Sequence, residues 1–398
     1  MLSPASRCTI RLSARSFSGA AIKDTDVVVV GLARSPLTKI GGALASLSAP
    51  KIASQMIQAA IARSGMDKKH IEEAFLGNVV SAGVGQAPTR QAVIYAGLPL
   101  DVPSTTVNKV CASGMKAIMM ASLSIQSGYR NAMIAGGMES MSNIPYYLPG
   151  ARTGYRLGNN TVVDGLVHDG LWDIYNNQHM GNCGEVIAKK YGITRQQQDD
   201  YAVQSYQRAA TAWKQGKFST EVAPVTVSGK RGEEPTLVAV DEEFSNINEA
   251  KLRALKPAFQ KEGGTVTAGN SSKINDGATA MVVVSGKLAK NLKLAPLFRI
   301  RGFGDAAREP VEFSVAPSDA VPRALRHAGV SASDVQYHEI NEAFALVALA
   351  NSNILGLDPT RVNVHGGTCF LERRGDPPDC CLTPHTSPHP HLSQVRWH

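Results

Sequence analysis

The sequence has few aromatic residues, few cysteines, little charge and no long apolar run. Aromatic side chains make up 6% of the 398 residues and charged side chains 19%, while 43% of the residues are hydrophobic. That balance excludes a disordered chain and a coiled coil, and six cysteines are too few for a disulfide-rich secreted module. No stretch approaches the roughly 20 uninterrupted apolar residues of a membrane helix, so we expect no membrane association. The length allows two or three domains of roughly 100–200 residues each.

The net charge of +8 is concentrated in part at the N-terminus. The chain contains Arg7, Arg11 and Arg15, several serines, and no acidic residue before Asp24. This composition is typical of a mitochondrial transit peptide, so we expect residues 1–17 to be removed and the mature protein to lie in the matrix, with reduced cysteines. No basic block is interleaved with aromatic residues, so the sequence does not favour binding to nucleic acid.

Strand and helix patterns alternate along the chain. A strand pattern at Val27–Val30 is followed by an amphipathic helix that begins near Ser48 and ends at Gly65. Such alternation indicates an α/β fold with a mainly parallel sheet. Residues 141–265 are richer in Asn, Gln and Tyr, and this composition predicts an inserted, mobile cap. The predicted domains are a first half at 24–140 and 266–285, the cap at 141–265, a second half at 286–367 and a divergent tail at 368–398.

An internal repeat indicates two similar halves. Residues 59–66 (AAIARSGM) resemble residues 323–330 (RALRHAGV), and strand patterns open both halves at Val27–Val30 and Leu297–Ile300. A second half of equal length would extend to about residue 406, by the 264-residue offset between the repeats. After Gly367 the sequence instead becomes rich in proline and histidine without helical or strand periodicity. We therefore expect an incomplete second half and a disordered tail.

The segment around Cys111 carries the clearest chemical signal. Cys111 lies between a strand pattern that ends near Val110 and a helix of small and apolar residues at Ala112–Ser127. A cysteine before a helix N-terminus faces the positive end of the helix dipole, which favours the thiolate. A thiolate there can attack a carbonyl carbon while nearby N–H groups stabilise the oxyanion. The alternative, an inert buried cysteine, is disfavoured by this local sequence.

Residues 26–367 resemble the thiolases, in particular the branch of mitochondrial acetoacetyl-CoA thiolases. The matching segments are ARSP (33–36), NKVCASGMKA (108–117), GGMESMS (136–142), HMG (179–181), TAGNSS (267–272), NDG (275–277) and NEAFA (341–345). The resemblance implies a five-layered α-β-α-β-α fold of two similar halves with an inserted cap. It also implies a homodimer or homotetramer that uses coenzyme A (CoA) thioesters, such as acetyl-CoA and acetoacetyl-CoA, and has no covalently bound cofactor.

The resemblance further implies a reaction and a set of site residues. In thiolases the cysteine matching Cys111 is acylated by acyl-CoA, and the enolate of a second acetyl-CoA attacks the acyl-enzyme in a reversible Claisen condensation. The asparagine matching Asn341 holds a water in an oxyanion hole, and His179 and Ser272 match residues of the acyl and pantetheine pocket. The positions matching CoA contacts are Tyr201, Asn246, Ile247, Asn248 and Lys251. Those matching a potassium site are Tyr201, Ala268, Gly269 and Ser271.

The resemblance ends after Gly367. Thiolases continue into a Gly-His-Pro loop that carries the catalytic base and then a loop that carries a second catalytic cysteine. Neither motif occurs in residues 368–398, so we expect little or no turnover from this sequence. Two alternatives to an acetyl-CoA C-acetyltransferase remain open. One is a 3-ketoacyl-CoA thiolase of β-oxidation, and the other is a non-catalytic subunit that binds CoA or pairs with complete subunits.

Overall fold

A seven-stranded sheet forms the centre of the computed structural model, which describes residues 21–229, 233–242, 244 and 247–367. The order in the sheet is β13-β1-β12-β5-β3-β4, with β2 paired to β12, and three two-stranded pairs (β6–β7, β8–β9 and β10–β11) lie outside it. The strands are β1 (Val27–Arg34), β2 (Thr38–Lys39), β3 (Glu73–Gly77), β4 (Ser104–Val107), β5 (Ala132–Ser140), β6 (Tyr146–Tyr147), β7 (Val163–Asp164), β8 (Trp172–Asp173), β9 (Gln178–His179), β10 (Val225–Val227), β11 (Thr236–Val238), β12 (Asn275–Ser285) and β13 (Phe298–Ile300).

Helices cover the sheet and build the connecting segments. They are α1 (Ala49–Ser64), α2 (Pro88–Tyr95), α3 (Ser113–Gln126), α4 (Met180–Lys190), α5 (Arg195–Lys214), α6 (Glu249–Ala254), α7 (Gly286–Asn291), α8 (Pro317–Ala328) and α9 (Ala345–Leu355). Helix α1 confirms the predicted bounds: Pro50 lies in its first turn, and Gly65 ends it with φ of 68°. Its buried face, which includes Ile52 and Met56, packs in the main apolar core. No helix among the described residues is both long and apolar enough to cross a bilayer.

The sheet is mixed, so the prediction of a mainly parallel sheet is wrong. Strand β3 runs parallel to β4 and β5, whereas β12 runs antiparallel to β1, β2 and β5. Strands β3, β4 and β5 are joined through helices α2 and α3, and such crossovers produce parallel neighbours. Strand β12 enters the sheet only after the long 141–265 segment, so no helical crossover fixes its direction.

Buried ion pairs fasten the 141–265 segment to the sheet. Arg34, at the end of β1, donates from Nε to Glu221 Oε1 at 2.7 Å and from Nη1 to Asp241 Oδ1 at 2.8 Å. Trp213 Nε1 donates to the same Asp241 carboxylate at 3.0 Å. Helix α5, within this segment, buries one face that includes Tyr206. The part of the segment around Glu221 and Asp241 is therefore held to the end of β1.

The described part of residues 286–367 joins the first half directly. Strand β13 pairs antiparallel with β1, with Val27 opposite Ile300, so the two predicted opening strands lie side by side. The repeated sequences coincide with the last turns of α1 and α8, which end at Gly65 and Gly329 with φ of 68° and 63°. The expected tail, residues 368–398, and the expected transit peptide, residues 1–17, lie outside the described residues.

Candidate active site

Cys111 lies in a tight turn between β4 and α3. Val110, directly before it, adopts a φ of 48°, an unusual conformation for a β-branched residue. Asn108 Oδ1 accepts the Val110 N–H at 3.0 Å, and the Ser113 hydroxyl accepts the Lys109 N–H at 2.8 Å while donating to the Val110 carbonyl at 2.6 Å. These bonds hold the strained turn, which places Cys111 just before the first residue of α3, where the dipole favours negative charge.

Close packing of α3 on β3 fixes the position of this turn. A Cβ atom at Gly77 would lie 2.5 Å from Gly114 N and 2.6 Å from Ser113 C. Only glycine therefore fits at the end of β3, and the helix N-terminus rests directly on the strand backbone. Small buried residues on α3, such as Ala117 and Ala121, extend the same close contact along the sheet.

Replacing Gly77 with alanine should lower the free energy of unfolding by about 1–3 kcal/mol, because the added methyl meets backbone that cannot move aside cheaply. Gly114→Ala is the matched control on the other side of the contact, where the nearest atom to a built Cβ lies 3.6 Å away. Urea unfolding of both variants would measure the difference. An equal loss in the two variants would contradict the close approach of α3 to β3.

Cys111 packs at the edge of an apolar cluster that joins both halves. Val79, Val80 and Phe344 are buried members of this cluster, and Cys111 and Phe259 are partly buried against it. Cys111 forms no disulfide with another described residue. A half-buried thiol at a helix N-terminus with apolar surroundings suits attack on a thioester, since water is largely displaced there.

The structure brings His179, Ser272 and the Asn341 segment to this cluster. His179 stacks on Phe259 with ring centroids 4.7 Å apart, and Phe259 meets Phe344 edge-on at 6.1 Å. The Ser272 N–H donates to the Ala343 carbonyl at 2.9 Å. His179 also caps α4, because its Nδ1 accepts the Gly181 N–H at 3.0 Å. The predicted inner-pocket residues therefore belong to one connected region around the Cys111 cluster.

The predicted CoA contacts form a second group around α5 and α6. Tyr201 and Ile247 pack against the same buried cluster, and Asn248 caps α6 by accepting the Lys251 N–H at 3.0 Å. Gly269 borders this group, since a Cβ there would lie 2.7 Å from Leu252 Cγ of α6. Asn246 lies outside the described residues.

Three of the four predicted potassium ligands, Tyr201, Ala268 and Ser271, already have other partners. The Ala268 carbonyl accepts a hydrogen bond from Lys273 Nζ at 2.7 Å, and the Ser271 hydroxyl donates to the Thr267 carbonyl at 2.6 Å. The Tyr201 phenol also has partners of its own, as shown below. Because the Lys273 ammonium group already supplies positive charge at the Ala268 carbonyl, this carbonyl does not fit a potassium ligand here, and we assign no step to a potassium ion. Among the described residues, no cluster of three or more His, Cys, Asp or Glu side chains could hold a metal ion.

Two buried glutamates had no predicted role although both lie in the matching segments. The Glu342 carboxylate accepts hydrogen bonds from Tyr201 Oη at 2.9 Å, Ser205 Oγ at 2.8 Å and Asn363 Nδ2 at 2.8 Å. It therefore ties α5 to the segment after Asn341. Glu139, on β5, is 1% exposed and accepts three N–H groups from residues 78–80. The sequence signal for both glutamates was an acidic residue in a motif whose other residues are mostly small or apolar.

The charged groups nearest to Cys111 in the sequence, two lysines, share one carboxylate. Lys109 and Lys116 both pair with Asp305, which follows β13. Burial raises the pKa of Asp305, but the two ammonium groups lower it more, so the net shift is downward. Asp305 thereby links the Cys111 turn to the 286–367 segment.

His338 and His365, two of the histidines upstream of Gly367, contact residues outside the Cys111 cluster. His338 is buried and pairs through its backbone with Arg361 and Asn363. Burial, with a smaller contribution from Arg361, lowers the pKa of His338. The His365 ring meets Phe218 edge-on at 6.4 Å, and Phe218 in turn packs under the Arg34 guanidinium.

Comparisons with known proteins agree with this architecture. Family models described as "Thiolase, N-terminal domain" and "Thiolase, C-terminal domain" match residues 27–287 and 294–373. Acetyl-CoA acetyltransferase 2 of Arabidopsis thaliana is 53% identical over 359 residues, which cover 90% of this chain and 88% of that protein. The mitochondrial acetyl-CoA acetyltransferase of Rattus norvegicus is 50% identical over 346 residues, 87% of this chain and 81% of that protein.

Solved structures give the same result. A thiolase of Ascaris suum in complex with coenzyme A superposes with a TM-score of 0.82 at 42% identity, covering 86% of this chain and 88% of the other. The acetyl-CoA acetyltransferase of Bacillus anthracis superposes with a TM-score of 0.84 at 36% identity, covering 87% of this chain and 88% of the other. The expected thiolase fold is thereby confirmed, and the chain belongs to the thiolase family.

Proposed function

We propose that the protein is an acetyl-CoA C-acetyltransferase that forms an acetyl-Cys111 intermediate. The observation that carries the proposal is the half-buried Cys111 thiol, held by a strained turn before α3 and within the apolar cluster that His179, Ser272 and the Asn341 segment reach. The acetyl-CoA acetyltransferases among the relatives support the choice of substrate.

In the first half-reaction, the Cys111 sulfur attacks the thioester carbonyl of acetyl-CoA. The bond from the acetyl carbon to the CoA sulfur breaks, and CoA leaves with the proton that Cys111 gave up. The dipole of α3, whose N-terminus follows Cys111, favours negative charge at the site of attack. In the second half-reaction, the enolate of another acetyl-CoA attacks acetyl-Cys111, and acetoacetyl-CoA and the free thiol result. We assign Asn341 to the oxyanion hole for the substrate thioester.

CoA recognition is assigned to the two groups of residues described above. His179 and Ser272 would line the path of the acyl and pantetheine moieties toward Cys111. Tyr201, Asn246, Ile247, Asn248 and Lys251 would bind the rest of CoA, and the thiolase of Ascaris suum in complex with coenzyme A supports a CoA site in this fold. The Lys251 ammonium on α6 supplies a positive charge suited to the CoA phosphates.

The second half-reaction is limited in this sequence, because residues 368–398 contain no Gly-His-Pro motif. The enolate needs a base at the α-carbon, and neither His338 nor His365 is placed to serve. We therefore propose that Cys111 accepts an acetyl group while overall turnover stays low. A subunit of this kind would bind CoA, and it could pair with complete thiolase subunits.

The two half-reactions can be separated experimentally. Incubation with radiolabelled acetyl-CoA measures acetyl transfer to the protein, and thiolysis of acetoacetyl-CoA by CoA measures the whole cycle. We expect acetyl transfer with little thiolysis, and thiolysis restored when residues 368–398 are replaced by the corresponding segment of the rat relative. Full thiolysis by the unaltered chain would show that the missing motif is dispensable. Faster cleavage of a long-chain 3-ketoacyl-CoA by the restored chain would favour the β-oxidation alternative.

We further propose a mitochondrial location and a homo-oligomeric state. The acid-free N-terminus and the mitochondrial acetyl-CoA acetyltransferases among the relatives support the location. The proposal of a homo-oligomer rests on the membership of the chain in the thiolase family.

A further inference from the structure

Glu139 is a buried carboxyl group held entirely by donors. Its Oε1 accepts Asn78 Nδ2 at 2.7 Å and the Val80 N–H at 3.3 Å, and its Oε2 accepts the Val79 N–H at 2.8 Å. These bonds fix the backbone that follows β3. Val79 and Val80 belong to the apolar cluster on which Cys111 packs, so Glu139 supports one wall of that cluster.

A chain of hydrogen bonds runs from Glu139 to the turn before Cys111. The Val79 N–H binds Glu139, and the Val79 carbonyl accepts Asn108 Nδ2 at 3.0 Å. The other end of the same amide, Asn108 Oδ1, accepts the N–H of Val110, the residue with a φ of 48°. The conformation of the turn therefore depends on the two hydrogen bonds of the Asn108 side-chain amide. These bonds connect Val110 to Val79, and Val79 is in turn held by Glu139.

Glu139 and Cys111 are also coupled through their charges. Burial raises the pKa of Glu139 to about 8, the three N–H donors oppose that rise, and the nearby Cys111 adds to it. By reciprocity, an ionised Glu139 disfavours a thiolate at Cys111. The two groups therefore compete for a single negative charge in one apolar cluster.

The other charged groups around this pair are already engaged. Lys109 and Lys116, on the turn and on α3, are both paired with Asp305. Asp276, on β12 beside β5, accepts hydrogen bonds from Ser142, and burial raises its pKa. His179 lies across the cluster and caps α4. Cys111 is the titratable group that contributes to the Glu139 shift.

We propose that Glu139 is a positioning residue for Cys111, which holds the nucleophile's turn through Val79 and Asn108 and, in its ionised form, disfavours the Cys111 thiolate. The proposal rests on the proposed role of Cys111 as the nucleophile. A neutral Glu139 leaves Cys111 able to ionise, whereas an ionised Glu139 shifts the alkylation of Cys111 to higher pH.

The test is the pH dependence of Cys111 alkylation by iodoacetamide, read by peptide mass spectrometry in wild type, Glu139→Gln and Glu185→Gln. Glu185 is the matched control: it is buried, and it accepts the backbone N–H groups of Thr265 and Val266. We expect the midpoint of the alkylation profile to fall by about one pH unit in E139Q and to stay unchanged in E185Q. The buried thiol of Cys183, which is 0% exposed, reports whether each variant is folded.

An unchanged midpoint in folded E139Q, or equal shifts in both variants, would overturn the proposal. If E139Q leaves Cys183 open to alkylation, Glu139→Asp carries the test, with E185D as its control. Aspartate retains the charge, but its shorter side chain moves the carboxylate away from Val79 and Val80. We therefore expect the midpoint of the alkylation profile to fall by less than in E139Q. An unchanged midpoint would overturn the proposal. Alkylation needs no acetyl-CoA, so the result stands apart from the success or failure of acetyl transfer.

Discussion

Replacing Cys111 with serine should reduce acetyl transfer from acetyl-CoA to the protein by on the order of 10³-fold or more. A thiol has an ordinary pKa near 8.5, so a useful fraction ionises at neutral pH, whereas a serine hydroxyl does not. Neither His338 nor His365, whose contacts in the described part of the chain lie outside the Cys111 cluster, would activate the serine hydroxyl. Acid-quenched samples with radiolabelled acetyl-CoA would measure the transfer.

Cys183→Ser is the matched control for this substitution. The Cys183 thiol is fully buried, and burial, aided by Asp173, raises its pKa to about 11, so it neither meets a thioester nor ionises at neutral pH. We expect C183S to accept acetyl groups at the wild-type rate. If acetyl transfer survives in C111S and disappears in C183S, the nucleophile is Cys183 and not Cys111.

Replacing Arg34 with methionine should lower the free energy of unfolding by about 3–5 kcal/mol, because it leaves two carboxylates without their buried partner. The side chains of Arg34 and Glu221 are 6% and 2% exposed. Burial lowers the pKa of the guanidinium, but Asp241 and Glu221 raise it more, so the arginine remains charged. Methionine fills much of the volume of the arginine side chain, so the decrease in the free energy of unfolding reports mainly the removal of the charge. Urea unfolding followed by circular dichroism would measure it.

A surface ion pair provides the comparison. Lys290 pairs with Asp24 at 2.7 Å, but the two side chains are 48% and 63% exposed, so solvent screens the pair. Lys290→Met should therefore leave the unfolding transition essentially unchanged. If R34M unfolds at the same urea concentration as K290M, the Arg34 ion pairs do not fasten the 141–265 segment to the sheet.

The sequence correctly predicted those elements whose bounds are set by residues close to them in the chain. The bounds of α1 follow from Pro50 in its first turn and Gly65 at its end, and these residues act within one turn of the chain. The Cys111 site follows in the same way, since a strand, a cysteine and a small-residue helix are contiguous in the sequence. Relative strand direction has no such local signal. The direction of β12 depends on the path of residues 141–265, so the parallel sheet predicted from alternation is wrong.

Contacts between residues that are distant in the chain could not be predicted from the sequence. Glu342 meets Tyr201 and Asn363 only because α5 packs beside the segment that follows Asn341. The amide chain from Glu139 to Val110 likewise joins strands and loops separated by many residues. Lys273, which supplies an ammonium to the Ala268 carbonyl, follows directly after the TAGNSS segment, but nothing in its spacing indicated where its side chain would reach.

The most direct test of the account is to map the acetyl group after brief incubation of the full chain with acetyl-CoA. Peptide mass spectrometry, with hydroxylamine treatment to identify a thioester, would locate the modified residue. We predict one hydroxylamine-labile acetyl group per chain, on the peptide that contains Cys111. An unmodified Cys111 peptide from folded protein, or a labile acetyl group on another cysteine, would contradict the assignment of Cys111 as the acetyl acceptor.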